Sequence, residues 1–175
     1  MVEVDTVPTD PTVLLADADV LIDYRESELA ILGLVGRHVG RVAVLPSVLD
    51  EVEGVTAAEC AELDIEVVEV ETERMLRAAE IESPVSFNDR LCFVTCLEEG
   101  WTCVTNDGAL RRLCERHGVD TRFGLALMVD LVAAGVLSRE RAEAVARQIH
   151  ASNPLHINQR VLTRFVGALD ALVLV

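Results

Sequence analysis

Lysine is absent from this chain. All 15 basic residues among its 175 are arginine, set against 30 acids for a formal net charge of -15. Phosphoryl chemistry that relies on a lysine ammonium to steady a covalent intermediate is thereby deprived of its usual group. No apolar run reaches the roughly 18 residues that a membrane-spanning helix needs. The best candidate, GLALMVDLVAAGVL, is interrupted by Asp130 and is too short. The opening MVEVDTVPTDPT has neither the basic start nor the apolar core of a secretory signal, and it reads as a flexible leader over residues 1–12. Paired cysteines at zinc-site spacing are missing too. Cys60, Cys92, Cys96, Cys103 and Cys114 are odd in number and scattered through apolar segments, which predicts reduced core thiols in a soluble, cytoplasmic protein. His38, His117, His150 and His156 form no HxxxH pair.

With 51% hydrophobic and 26% charged residues, the chain has material for a real core. Its apolar runs alternate with amphipathic stretches, without internal repeats. VLLA (13–16), RVAVL (41–45), IEVVEV (65–70), WTCVT (101–105) and VDTRF (119–123) read as strands. The clearest helices between them are 28–39, 47–53, 72–81, 88–99 and 108–117, the last stopped by Gly118. Such alternation predicts an α/β fold of three layers, with a central parallel sheet of about five strands and right-handed crossovers. Residues 13–123 would form this domain, and 124–175 a helical extension packed on it. Ser138 and Asn158 are the expected N-caps of the last two helices, which are separated by the SNP at 152–154.

The stretch LLADADVLIDY, residues 14–24, ends a buried strand by delivering Asp17, Asp19 and Asp23 together. Crowded carboxylates need a cation, a proton or water to balance them. In open parallel sheets the site forms beyond the carboxyl ends of the strands. Asp17 follows strand one, Glu51 lies in the helix entered through Pro46, Asp89 opens a helix, and Asp107 follows strand four in TND. All four fall on one rim. Hard oxygen ligands in this number suit Mg2+ or Mn2+. Asp23, Glu26 and Glu28 are expected on a solvated helix surface.

These spacings resemble the PIN-domain ribonucleases, which include the VapC-like toxins of toxin–antitoxin pairs. Asp17 in DADVLI is similar to the first family aspartate, and Glu51 in PSVLDE to the family glutamate. DRLCFVTCLEEGWTCVTND resembles the family run that opens on an aspartate, here Asp89, ends a helix at glycine and closes on an aspartate, here Asp107. The resemblance implies a metal-dependent ribonuclease in which Asp17, Asp89, Asp107 and Glu51 hold one or two divalent ions. Thr105 and Asn106 would position a ligand or the phosphate. It further implies RNA as substrate, an antitoxin protein as partner and a homodimer.

The chain departs from the family pattern at Asp19, where serine or asparagine is common, and at Arg90, where a small residue is usual. Asp19 becomes an extra outer carboxylate, and Arg90 either narrows the site or contacts phosphate. Asp50, beside Glu51, competes to be the inward-facing acid. Two other functions compete with the nuclease. The D-x-D-x-L of Asp17 and Asp19 also resembles haloacid-dehalogenase-like phosphatases, but those use a downstream lysine, occasionally arginine, and here there is no lysine and no later GDxxxD signature. A PIN fold that has lost activity and only binds would lack one or more of the acids, and all four are present. RNA also needs cations. Residues 111–164 hold nine arginines against five acids, whereas residues 1–110 hold six against twenty-four. Arg111 and Arg112, just after Asp107, are therefore the expected start of a phosphate-binding surface.

Overall fold

A computed structural model describes residues 12–173 of the chain. The leader expected over 1–12 lies, Thr12 apart, outside the described residues. In chain order the elements are β1 (Val13–Ala16), α1 (Ala18–Glu26), α2 (Ala30–His38), β2 (Arg41–Val44), α3 (Pro46–Glu51), α4 (Ala57–Glu62) and β3 (Ile65–Val67). They continue with α5 (Thr72–Glu80), α6 (Phe87–Glu99), β4 (Thr102–Val104), α7 (Gly108–Arg116), β5 (Thr121–Arg122), α8 (Ala126–Ala133), α9 (Arg139–Ser152) and α10 (Gln159–Leu172).

The five strands form one parallel sheet in the order β3-β2-β1-β4-β5. Strands β1 and β4 are buried throughout, β1 wholly apolar and β4 apolar after Thr102, as a sheet covered on both faces requires. The edge strands are shorter than their apolar runs predict. β3 stops at Val67, after which Val68 N–H makes one more bond to the Val44 carbonyl, and β5 has only two residues. An edge strand has a partner on one side only, so the ladder ends where that partner ends.

Connections from β1 run outward through β2 to β3, and the chain then crosses back to β4 and β5. With right-handed crossovers the two directions put their helices on opposite faces. The contacts agree: α2 packs on β2 and β3, α6 on β1 and β4, and α7 on β5. The C-terminal helices form a further covering on the first face, where α8 packs on α2, α9 on α1, and α10 on both α8 and α9. Leu127, Met128, Leu131, Val145, Ile149 and Phe165 carry their buried surface. Ser138 and Asn158 cap α9 and α10 as their sequence predicts. All five cysteines are buried and free, and among the described residues no helix is long and apolar enough to cross a membrane.

Helix α1 corrects one expectation. Glu26 is exposed and Glu28 pairs with Arg141, but Asp23 is 3% exposed rather than solvated. It lies three residues beyond Val20, on the face that also buries Leu21 and Tyr24. Its carboxylate accepts from Asn106 Nδ2 at 3.1 Å and from Asn153 Nδ2 at 2.9 Å. Tyr24 beside it donates its hydroxyl to the Gly124 carbonyl at 2.7 Å. The segments that bury Asp23 arrive late in the chain, so α1 alone does not reveal them.

Candidate active site at the switch of the sheet

Strand order reverses between β1 and β4, and at such a point the two outgoing chains diverge to leave a crevice at their carboxyl ends. Asp17 leaves β1 there, its N–H bonded to the Val104 carbonyl at 3.1 Å. Thr105, Asn106 and Asp107 leave β4 beside it. Three of the four expected acids start helices. Asp17 caps α1, accepting from Val20 N–H at 2.9 Å, and Asp107 caps α7 through one oxygen that accepts from Ala109 and Leu110 N–H at 2.7 and 2.8 Å. Asp89 is the fourth residue of a capping box in which Ser86 is the cap, its Oδ2 receiving the Ser86 N–H and hydroxyl. These caps orient the carboxylates and leave Oδ1 of Asp89 and Oδ2 of Asp107 without a hydrogen bond among the described residues.

Glu51 and Asp50 are both exposed on α3, and Glu51 accepts from Asn88 Nδ2. The same amide donates to the Ser47 carbonyl at 3.2 Å, so the residue before Asp89 ties Glu51 to the start of α6. Thr105 is fully buried and its Oγ1 accepts the Asp107 N–H at 3.0 Å. Asn106 turns away from the acids: its Oδ1 receives the Gly124 N–H at 3.0 Å while its amide holds Asp23. A β-carbon on Gly124 would come within 3.1 Å of that amide and 3.3 Å of Val20, so the close approach of the two loops depends on glycine there.

Electrostatics bind the acids into one group. Burial pushes the Asp17 carboxyl up to about 7; the Thr105 hydroxyl and Val20 N–H favour its charged form, while Asp19 and Asp89 oppose it. Asp89 is likewise raised, first by burial, with Asp107 and Asp19 adding repulsion. Asp19, in the first turn of α1, thus acts on both and stands among the acids. None of Asp17, Asp19, Glu51, Asp89 or Asp107 enters an ion pair with an arginine among the described residues.

No three acidic, histidine or cysteine side chains among the described residues stand close enough to close on a single ion as they are. The donors nonetheless fit one of the kinds expected. They are hard carboxylate oxygens with unused lone pairs, and Mg2+ is held through one or two carboxylates while keeping several waters that can bridge to the others.

The expected cations are placed differently. Arg90 donates Nη1 to the Ile81 carbonyl at 2.8 Å, a structural bond to the loop before α6. Arg111 is half-buried: Nη2 donates to the Thr105 carbonyl at 2.7 Å, Nη1 to Thr121 Oγ1 at 2.8 Å, and the guanidinium lies 3.5 Å from the Phe123 ring centre. Desolvation holds its pKa below the usual arginine value. Arg111 therefore fastens α7 to β5 and is not a free phosphate ligand, whereas Arg112 is exposed and has no carboxylate partner among the described residues. Ser86, Asn88, Gly124 and Asn153 support the site without any signal in the sequence singling them out, and so does Asp23, which the sequence places in solvent. The S-x-x-D spacing of Ser86 and Asp89 carries a capping signal that points to the first of them.

The fold and its rim define a class: an α/β protein with a doubly covered parallel sheet and an acidic crevice at its switch point. The PIN domain family matches residues 15–116, more than half of the chain and inclusive of all four rim acids, and the chain belongs to that family. PIN domains are typically nucleases and generally use divalent metal ions. No curated protein matches the chain.

Proposed function

We propose that this protein is a metal-dependent endoribonuclease that hydrolyses RNA phosphodiester bonds with Mg2+ or Mn2+. The observation that carries it is the uncompensated rim. In a chain whose arginines make ion pairs at many surface sites, such as Arg74 with Glu98 at 2.8 Å and Arg37 with Asp64 at 3.1 Å, the buried and half-buried acids of the crevice have none among the described residues. Proteins retain such repulsion where a bound cation relieves it.

Asp17, Asp89 and Asp107 would hold the ion, with Glu51 acting directly or through water. When bound, the ion supplies an oriented, activated water and offsets charge on the phosphate. The residues do the rest. The helix caps fix the three aspartates before anything binds, so little reorganisation is left for the reaction. Thr105 joins two of them, stabilising the charged Asp17 while its oxygen receives the backbone of Asp107. Asn106 and Gly124 hold the β4–α7 loop from behind. By resemblance to the VapC-like proteins, the chain acts as the toxin of a toxin–antitoxin pair and works as a homodimer.

Asp89→Asn and Asp107→Asn test the site, because asparagine still caps α7 at 107 and its side-chain oxygen still accepts from Ser86 at 89, so the fold is retained. Each should lower metal-dependent cleavage of a single-stranded RNA by at least about 100-fold, the scale on which one preorganised electrostatic group counts. Asp19→Asn should cost less. Full activity in both variants would refute the assignment. Phosphomonoester hydrolysis lost on Asp19→Asn would establish the phosphatase instead.

A further inference from the structure

Aromatic side chains are few in this protein: four Phe, one Tyr and one Trp. Tyr24, Phe93 and Phe165 are buried and Trp101 is half-buried, which leaves two exposed rings. Both stand at the acid rim. Phe87, 40% exposed, opens α6 two residues before Asp89. Phe123, also 40% exposed, follows β5, whose Arg122 carbonyl accepts the Thr105 N–H at 3.0 Å. Neighbouring strands lie about 4.8 Å apart, so Phe123 sits roughly one strand spacing from the loop that carries Asp107.

The surroundings of Phe123 are built. Arg111, held by the Thr105 carbonyl and Thr121, lies against the ring at 3.5 Å and fixes it. The ring also forms one wall of a groove of about 200 Å³ whose other walls are Leu125 and Val129 of α8 and Val161, Arg164 and Phe165 of α10. This is smaller than the roughly 300 Å³ at which sites for larger ligands begin. It suits one flat ring. The charge at its mouth is equally specific. Arg139, Arg141 and Arg147 on α9 are all paired with acids. Arg160 and Arg164, four residues apart and exposed on α10, have no such partner among the described residues, although acids outnumber arginines two to one in the chain. Like charges at that helical spacing repel unless an anion lies between them. An apolar slot with an aromatic wall, the unpaired Arg164 at its lip, Arg160 about one helical turn away and an acidic crevice one strand away matches a nucleotide: a planar base on an anionic backbone.

We propose that the Phe123 groove is a nucleobase subsite. A base near the bond to be cleaved stacks on Phe123, and the adjoining phosphates are drawn to Arg164 and Arg160. This rests on the ribonuclease assigned above and gives it a base-binding platform in the C-terminal helices, beyond the span matched by the PIN family. The slot offers almost no hydrogen-bonding groups, so it takes any base and does not read sequence.

The test is binding, measured in chelator so that neither metal nor cleavage enters. Phe123→Trp places a reporter in the groove, with the parent's Trp101 emission as baseline. A short single-stranded RNA should quench the new emission, and an abasic strand of the same length should quench it far less. Phe123→Leu should weaken RNA affinity by roughly 10-fold, the scale of one lost stacking contact, with its melting temperature near that of the parent. Arg164→Ala should lower the salt slope of binding by about one. Unchanged affinity in Phe123→Leu, or equal quenching by the abasic strand, overturns the subsite while leaving the nuclease intact. Base-dependent quenching in a protein that cleaves no RNA with metal supports the subsite and overturns the nuclease. Failure of the parent to bind RNA overturns both. If sedimentation shows a parent dimer that Val161→Glu converts to monomer, a second copy of the chain covers the groove and the proposal falls.

Discussion

Replacing Asp17 by asparagine should make the metal-free protein more stable while removing its activity. Asp17 is 2% exposed, and its carboxyl titrates near 7 chiefly because burial penalises the charge. The distance from there to the 3.8 of a free carboxyl, at about 1.4 kcal/mol per pH unit, puts the cost of the ionised group on the order of 4 kcal/mol. Asparagine is nearly the same shape, still accepts from Val20 N–H, and carries no charge. The sign follows from linkage. Above pH 7 the group is ionised in both the folded and the unfolded chain, and the wild type bears the full cost. As pH falls through 7 the folded protein takes up a proton before the unfolded one does, and the cost fades until about pH 4, where both are protonated. With about 2 kcal/mol of that cost expressed at the melting temperature, Asp17→Asn should melt about 5 °C higher than wild type at pH 8 in chelator, with the gap closing by pH 4. Thermal scans by circular dichroism across that range measure it. A variant less stable than wild type at pH 8, or a difference that does not change with pH, would refute the account of Asp17 as a buried, uncompensated charge.

Other outcomes follow from the same contacts. Millimolar Mg2+ or Mn2+ should raise the melting temperature of wild type by binding the native state alone, and should leave the Asp17→Asn, Asp107→Asn double variant unmoved. Asp23→Ala, which strips the acceptor from the amides of Asn106 and Asn153, should cost about 1–3 kcal/mol in chemical denaturation. Arg111→Ala should destabilise by about 2 kcal/mol through its two lost hydrogen bonds and the contact with Phe123, whereas Arg112→Ala should leave stability unchanged and flatten the salt dependence of RNA binding.

Features set by local pattern could be read from the sequence. The apolar runs placed all five strands, and a carboxyl-edge rule then gathered Asp17, Asp89 and Asp107 before any coordinates. The caps Ser138 and Asn158 also follow from local chemistry. What escaped depends on partners remote in the chain. Asp23 was expected in solvent because α1 alone shows three acids after an apolar strand, and its two amide donors lie 83 and 130 residues away. Arg111 was expected to meet phosphate because position next to Asp107 says where a side chain starts and not where it ends; β5 and Phe123, which capture it, come later. The bond between Asn88 and Glu51 is likewise remote, and the Asn88 amide has no pattern to announce it.

The network around Asp23 also bears on where this protein can be cut. Its carboxylate joins α1 to the β4–α7 loop and to the end of α9, while Tyr24 holds the Gly124 carbonyl and α8 lies on α2. A chain ended after β5 would keep every acid of the rim, yet it would bare the apolar backs of α1 and α2 and strand the buried Asp23 without one of its donors. The match to the family ends at residue 116, short of the residues that cover the buried face of α1. These contacts predict that the C-terminal helices melt with the sheet as one cooperative unit, and that a proteolytic nick between α9 and α10 would be felt at the crevice on the far side of α1.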